Sequence, residues 1–352
     1  MMRHRIAGWA LPLLATATVW MAAPVRASEG RIPVFEPGTY PNSGKYILTR
    51  DITATAAGTV LNFTGNGKVD LDLNGFTVTG TGGVEGNGVI KARFLTEFSV
   101  RKGRIVGSSS LDGIRTDDLG LVVVEDMTIE NAGRGIGLFT TRQALVRRNT
   151  VVTAQHNGIV VGGTVAATSV IIVEDNSVED TGGDGSSTAI AVGNNVDSVT
   201  IQRNKVVGSG GNWGISAGGL QGTVEILGNT VQDSTNGGIT VQAEGCTVAD
   251  NVVTNTGGTG YSFFASASEP RSSCVIQRNV ATNVTGNGIM LSIGASLIDG
   301  NLVNGSTNIG IVLGSGVNAT SGYKNNTTVN NAVGCILAPA GNVALGPNHC
   351  AP

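Results

Sequence analysis

Between residues 146 and 328 the chain repeats one short pattern of apolar and polar positions eight times: an aliphatic residue, two polar ones, Asn, one further residue, then usually Val. VRRNTV, VEDNSV, IQRNKV, ILGNTV, VADNVV, IQRNVA, IDGNLV and YKNNTT place that Asn at 149, 176, 204, 229, 251, 279, 301 and 326. The steps of 27, 28, 25, 22, 28, 22 and 25 residues have the period of a solenoid, whose repeats bury their apolar faces only against their neighbours. Earlier coils keep the spacing without the Asn: Val124, Met127 and Ile129; Val100, Gly103 and Ile105; Leu73, Phe76 and Val78. A second phrase follows each slot, as Gly158-Ile159, Gly214-Ile215, Gly238-Ile239, Gly288-Ile289 and Gly310-Ile311. Short alternating strands and Gly-rich turns therefore make up the period, with no amphipathic helix between them.

This pattern resembles the right-handed parallel β-helix of secreted pectate-lyase-like and polygalacturonase-like proteins and alginate epimerases, over roughly residues 45 to 334. The resemblance implies an all-β solenoid of about ten coils, with the repeated Asn forming an asparagine ladder. A small amide suits this slot because it tolerates a left-handed turn and satisfies turn backbone groups. Residues 28–95 are expected to form an N-terminal cap and the first coils, 96–334 the repeats, and 335–352 a C-terminal cap or tail.

Composition agrees: 53 Gly, 13% charged residues and 4% aromatics suit a β-solenoid. A net charge of −3 argues against nucleic acid or an anionic membrane as the main partner. Arg3 and Arg5 precede an apolar stretch from Ile6 to Ala23, and Val25-Arg26-Ala27 offers a cleavage site, so residues 1–27 read as a signal peptide and the mature chain as periplasmic or secreted. Such a destination permits disulfides. Cys246 and Cys274 each stand five positions before a ladder Asn, which stacks them in adjacent coils as a bond or as two small apolar residues. Cys335 and Cys350 are expected to pair and clamp the C-terminal tail.

Aligned coils also explain most charges. The position before the slot reads Lys102, Asp126, Arg148, Asp175, Arg203, Gly228, Asp250, Arg278, with sign alternating until the Gly. These predict salt-bridge ladders between stacked neighbours. A cluster just before the Asn repeats is left over: Asp112, Arg115, Asp117 and Asp118, then Arg134 and Phe139, then His156 and Asn157. With Ile114, Ile136 and Ile159 pointing inward, Arg115 and Asp117 lie on the outer strand face, where the resembling enzymes hold their sugar chain. Arg115 and Arg134 would neutralise a uronate carboxylate, helped by Asp112, Asp117, Asn157 and Phe139; Asp117 and Asp118 are candidate Ca²⁺ ligands. His156 is the candidate base for elimination, whereas hydrolysis would require Asp112 opposite Asp117 or Asp118. Neither the Gly-His-Gly plus Arg-Ile-Lys pair of polygalacturonases nor the Asp-Pro-His of alginate epimerases is present. Two functions follow: recognition of an extracellular acidic polysaccharide, with lyase chemistry favoured over hydrolysis, or a non-catalytic envelope scaffold that binds a protein partner.

Overall fold

The computed structural model describes residues 30–351 except 55, 85, 164–168, 194–195, 221, 266–272 and 315–319, so the expected signal peptide lies outside the described residues. Thirty-six strands wind into a parallel β-solenoid of about twelve turns, somewhat more than the ten expected. The difference lies at the ends. Ile32–Val34 already pairs with Gly44–Leu48, and Gly38–Tyr40 with Leu61–Thr64, in coils whose slots carry no Asn to mark them. At the other end, Gly334–Leu337, Val343–Ala344 and His349–Ala351 pair in register with the preceding coil, so residues expected as a tail form a last turn.

Each regular coil has three short strands, and each strand stacks on its counterpart one turn away. The first face runs through Ile159–Gly162, Thr188–Gly193, Trp213–Gly218 and Gly237–Gln242, the second through Val170–Glu174 and Ser198–Gln202, and the third through Ser177–Glu179 and Lys205–Val207. Because strand side chains alternate, every second residue enters one continuous core; Ile114, Ile136, Ile159, Ile190, Ile215 and Ile239 form one inward file with no exposed surface. Near the N-terminal end, Tyr40 stacks on Phe63, and Phe63 lies tilted against Phe98, with centroids 5.2 and 5.9 Å apart. These rings fill the opening coils with large apolar surface.

The repeated Asn side chains form a buried amide ladder. Asn204 Nδ2 donates to Val173 O, Gln202 O and Asn229 Oδ1, while Asn204 Oδ1 accepts from the backbone N and Nδ2 of Asn176. The same pattern continues through Asn326, whose amide donates to Asn348 Oδ1 in the last coil. Each amide therefore satisfies turn groups that the strand ladders leave out.

The residue before each slot has a left-handed backbone, whether or not the slot holds Asn: Lys102, Asp126, Arg148, Asp175, Arg203, Asp250 and Arg278 all have φ between 53° and 59°, and Gly228 and Gly300 take the same conformation. Their side chains form the expected column, with Arg148–Asp126, Arg203–Asp175 and Arg278–Asp250 each at 2.7 Å. Arg148 and Arg203 also reach Glu125 and Glu174 at 3.0 and 2.8 Å. Such exposed pairs contribute little individually, typically ~0–1 kcal/mol, and act here mainly on register.

Cys246 and Cys274 are paired across adjacent coils and form a disulfide with Cα atoms 4.5 Å apart. Cys335 and Cys350 are free thiols, contrary to the expected bond. The C-terminal turn is held by strand pairing and by Asn348 instead of by a covalent clamp.

Candidate functional site

The first face changes character in the coils that begin at Gly88, Asp112 and Ile136. Gly88–Arg93 pairs with the strand starting at Asp112, and that strand pairs with the one starting at Ile136. The shared register puts Lys91, Arg115 and Gly137 in one outward column and Arg93, Asp117 and Phe139 in the next. Turn residues Asp112 and Arg134 close one side of this patch.

Asp112 is the keystone. Its side chain is only 3% exposed, deeper than the edge position expected from sequence. Arg115 Nη1 donates to Asp112 Oδ2 at 3.1 Å; the Arg134 backbone N and Nη1 reach Oδ1 at 3.2 and 3.4 Å. Burial raises the Asp112 pKa above the ordinary carboxylate value, against the pull of Arg134 and Arg115. Arg115 also grips Asp117 with two hydrogen bonds, Nε to Oδ2 at 3.3 Å and Nη2 to Oδ1 at 3.0 Å, and Arg93 Nε lies 3.6 Å from Asp117 Oδ2. The Phe139 ring receives the Arg115 guanidinium at 4.4 Å and that of Arg134 at 5.8 Å, within cation–π range. An open cavity of about 320 Å³ is lined by Gly86, Arg115, Arg134 and Phe139.

Two cations here escaped the sequence reading. Lys91 donates to Gly86 O at 3.0 Å and Asn87 Oδ1 at 3.1 Å, and its pKa is lowered by desolvation, with Arg93 and Arg115 adding to the fall and Asp117 opposing it. Aligning Val89-Ile90-Lys91 with Gly113-Ile114-Arg115 would have placed it. Lys91, Arg93, Arg115 and Arg134 thus gather around the carboxylates of Asp112 and Asp117 on this face.

The turn of His156 and Asn157 stacks on that of Arg134, with His156 N donating to Gly133 O at 2.8 Å and Gly135 N to Asn157 O at 3.0 Å, but the side chains of the remaining candidates are engaged elsewhere. His156 Nδ1 lies 2.7 Å from Asp184 Oδ2 in the following turn, and Ser187 Oγ donates to the same carboxylate at 2.9 Å. Although burial pushes Asp184 up, the hydrogen bonds from His156, Ser187 and the backbone of Ser186 and Ser187 hold its pKa well below the ordinary range. Asn157 donates to Thr188 O and so braces the next coil. Asp118 has a left-handed backbone and is exposed, lining a separate groove of about 550 Å³ with Phe94, Thr140 and Arg142. Asp117 is held by Arg115 and Arg93, and no group of three or more His, Cys, Asp or Glu able to hold a metal occurs among the described residues. Beyond Val160 the outward column reads Ala191, Ser216, Thr240 and Ser262, of which Thr240 and Ser262 are themselves buried.

The sequence profile of the family described as periplasmic copper-binding protein (NosD) matches residues 96–271 and 220–348. The chain belongs to this family. Its description agrees with the export expected for this NosD-family chain, and no described helix is long and apolar enough to cross a membrane. No curated protein matches by sequence. Among solved structures, the chain resembles the catalytic domain of a GH87 α-1,3-glucanase in complex with nigerose, at 12% identity and a TM-score of 0.55, covering 91% of this chain and 63% of that one. It also resembles the catalytic unit of the GH87 α-1,3-glucanase from Streptomyces thermodiastaticus strain HF3-3, at 13% identity and TM-score 0.51, covering 90% and 62%. The NosD-family chain thus spans less than two thirds of these glucanase chains, and the likeness is one of fold.

Acid should weaken the fold in a direction set by these carboxylates. Asp126, Asp175 and Asp250 are lowered first of all by hydrogen bonds from Arg148, Arg203 and Arg278, and Asp184 is lowered too. A depressed carboxylate stabilises the fold above its unfolded pKa, about 3.9 for Asp, and that contribution disappears as pH falls through the folded value. Asp112, being raised, works oppositely: its contribution is present at low pH and lost as pH rises through the folded value. With four lowered groups against it, the melting temperature is expected to fall steadily below about pH 5, measured by circular dichroism. A melting temperature that rises from pH 5 to pH 3 would contradict this balance.

Proposed function

We propose that this exported β-helix protein binds an acidic polysaccharide on the first face, with Arg115, Arg134 and Lys91 meeting its carboxylates and Phe139 packing against a sugar ring. The gathering of Arg115, Arg134 and the Phe139 ring around one outward cavity, with Lys91 in the same outward column as Arg115, carries this reading. A uronate would add carboxylate acceptors for the outward donors of Lys91 and Arg115, which a neutral glucan lacks. Binding is put ahead of elimination because His156, the candidate base, is hydrogen-bonded to Asp184. Hydrolysis fits less well still: Asp112 is buried and Asp117 is held by two arginines.

The test is titration calorimetry with polyuronate oligosaccharides, with nigerose as the neutral comparison. Arg134→Gln and Lys91→Gln should each weaken polyuronate binding by about 10- to 100-fold, the value of one charge-assisted hydrogen bond. Glutamine keeps a donor for Asp112, so the melting temperature reports separately on folding. Equal binding of nigerose, or polyuronate binding that both variants leave unchanged, would refute the reading.

A second reading comes from the family's description as copper-binding. Copper favours thiolate, thioether and imidazole donors. Met127 is buried in the core, His156 faces Asp184, Met290 lies apart on the first face, and Cys246 and Cys274 are bonded to each other. Cys335 and Cys350 remain as two adjoining thiols, a donor set that fits a two-coordinate soft ion.

A further inference from the structure

Two inward columns of the solenoid touch in coil after coil. One is the Gly of the Gly-Ile phrase; the other is the residue two after the ladder Asn, usually Val. A Cβ added at Gly158 would lie 2.3 Å from Val178 Cγ1, at Gly214 2.3 Å from Val231 Cγ1, and at Gly288 2.2 Å from Val303 Cγ1. At Gly310 the valine column supplies Thr328, 3.0 Å away, behind Cys335 O at 2.6 Å and Asn331 Nδ2 at 2.9 Å. One coil further, the register puts Cys335 in the glycine column and Cys350 in the valine column. Both cysteines therefore depart from the repeat at the single pair of positions that the fold brings together.

Their contacts agree with that placement. Cys350 Sγ lies 3.5 Å from Thr328 Oγ1, and Cys335 Sγ lies 4.0 Å from Thr328 O. Both sulfurs thus meet the same residue, Thr328, and face one site. Adjacent residues on a strand point to opposite faces, so His349 faces away from Cys350. Among the described residues the site therefore has two sulfur donors, with no group of three or more His, Cys, Asp or Glu around them.

The geometry points to Cys335 and Cys350 as a two-coordinate site for a soft monovalent ion, Cu(I), at the C-terminal end of the solenoid. This inference rests on the copper reading and is independent of the glycan patch. Zinc prefers four ligands and calcium six to eight oxygens, while thiolates select Cu(I). Binding changes no oxidation state: both thiols lose their protons, two S–Cu bonds form, and the complex carries one net negative charge.

The experiment uses the full exported chain recovered without reductant from its own compartment. Thiol titration after denaturation should find two free thiols per chain. Cu(I), supplied anaerobically as its acetonitrile complex against bicinchoninate, should bind one equivalent and release up to two protons. Cys335→Ser should abolish that equivalent, and Cys350→Ala, in the terminal strand, should do the same should the first variant misfold. Polyuronate affinity should not change in either, so failure of the glycan reading and failure of this one are distinguishable. Finding no free thiols would make the pair a second disulfide and overturn the proposal, as would Cu(I) uptake that both variants retain.

Discussion

Replacing Asn204 by leucine is expected to cost more than about 4 kcal/mol, because four buried groups lose a partner at once and each costs about 1–3 kcal/mol. Val173 O loses its side-chain donor, the backbone N of Asn176 loses its acceptor, Asn176 Nδ2 loses one of three acceptors, and Asn229 Oδ1 loses one of its donors. Leucine keeps the branched shape of asparagine, but its methyl groups need longer contacts than the amide makes, so crowding adds to the loss. Chemical denaturation of Asn204→Leu beside Asn62→Ser, on an outer strand, isolates the effect. A loss below about 1 kcal/mol for Asn204→Leu would mean that strand pairing alone holds the turns.

Adding one methyl group to the glycine column should be almost as damaging. A Cβ at Gly238 would sit 2.4 Å from Gly260 O and 2.4 Å from Val253 Cγ1, and the backbone oxygen cannot move without shifting the next coil. Overpacking of this kind typically costs about 1–3 kcal/mol, and Gly238→Ala should fall at or above the top of that range. Gly162 offers the contrast: on the first face, a Cβ there would meet only Gly193 O, at 3.8 Å. Gly162→Ala should be close to neutral. Equal melting temperatures for the two variants would show that the columns are looser than their distances imply.

Much of this was legible because the chain counts in twos along each strand and in one Asn per turn. Those two periods are enough to stack Arg148 on Asp126, Cys246 on Cys274 and Ile114 on Ile136. The left-handed backbone at Lys102, Arg148 and Arg203 was hidden, since long charged side chains do not advertise that conformation as Gly or Asn does. Where the period lapses, so did the reading. His156 meets Asp184 through the turn from Thr181 to Thr188, which belongs to no column, and Lys91 and Arg93 lie in coils without the Asn marker. The depth of Asp112 depends on how Arg115 and Arg134 fold over it, a three-dimensional fact with no sequence spacing of its own.

The uneven step between asparagines has a wider consequence. Successive amides meet at 2.9–3.1 Å whether 22, 25, 27 or 28 residues separate them. All of that variation is taken up in the bends, and none reaches the stack. The solenoid thus behaves like a ruled page, in which lines keep their spacing while margins vary. Added bend residues cost only a slowly growing loop entropy. New walls can therefore be raised around the Arg115–Arg134 patch, in the manner of a cleft, without disturbing a single rung beneath it.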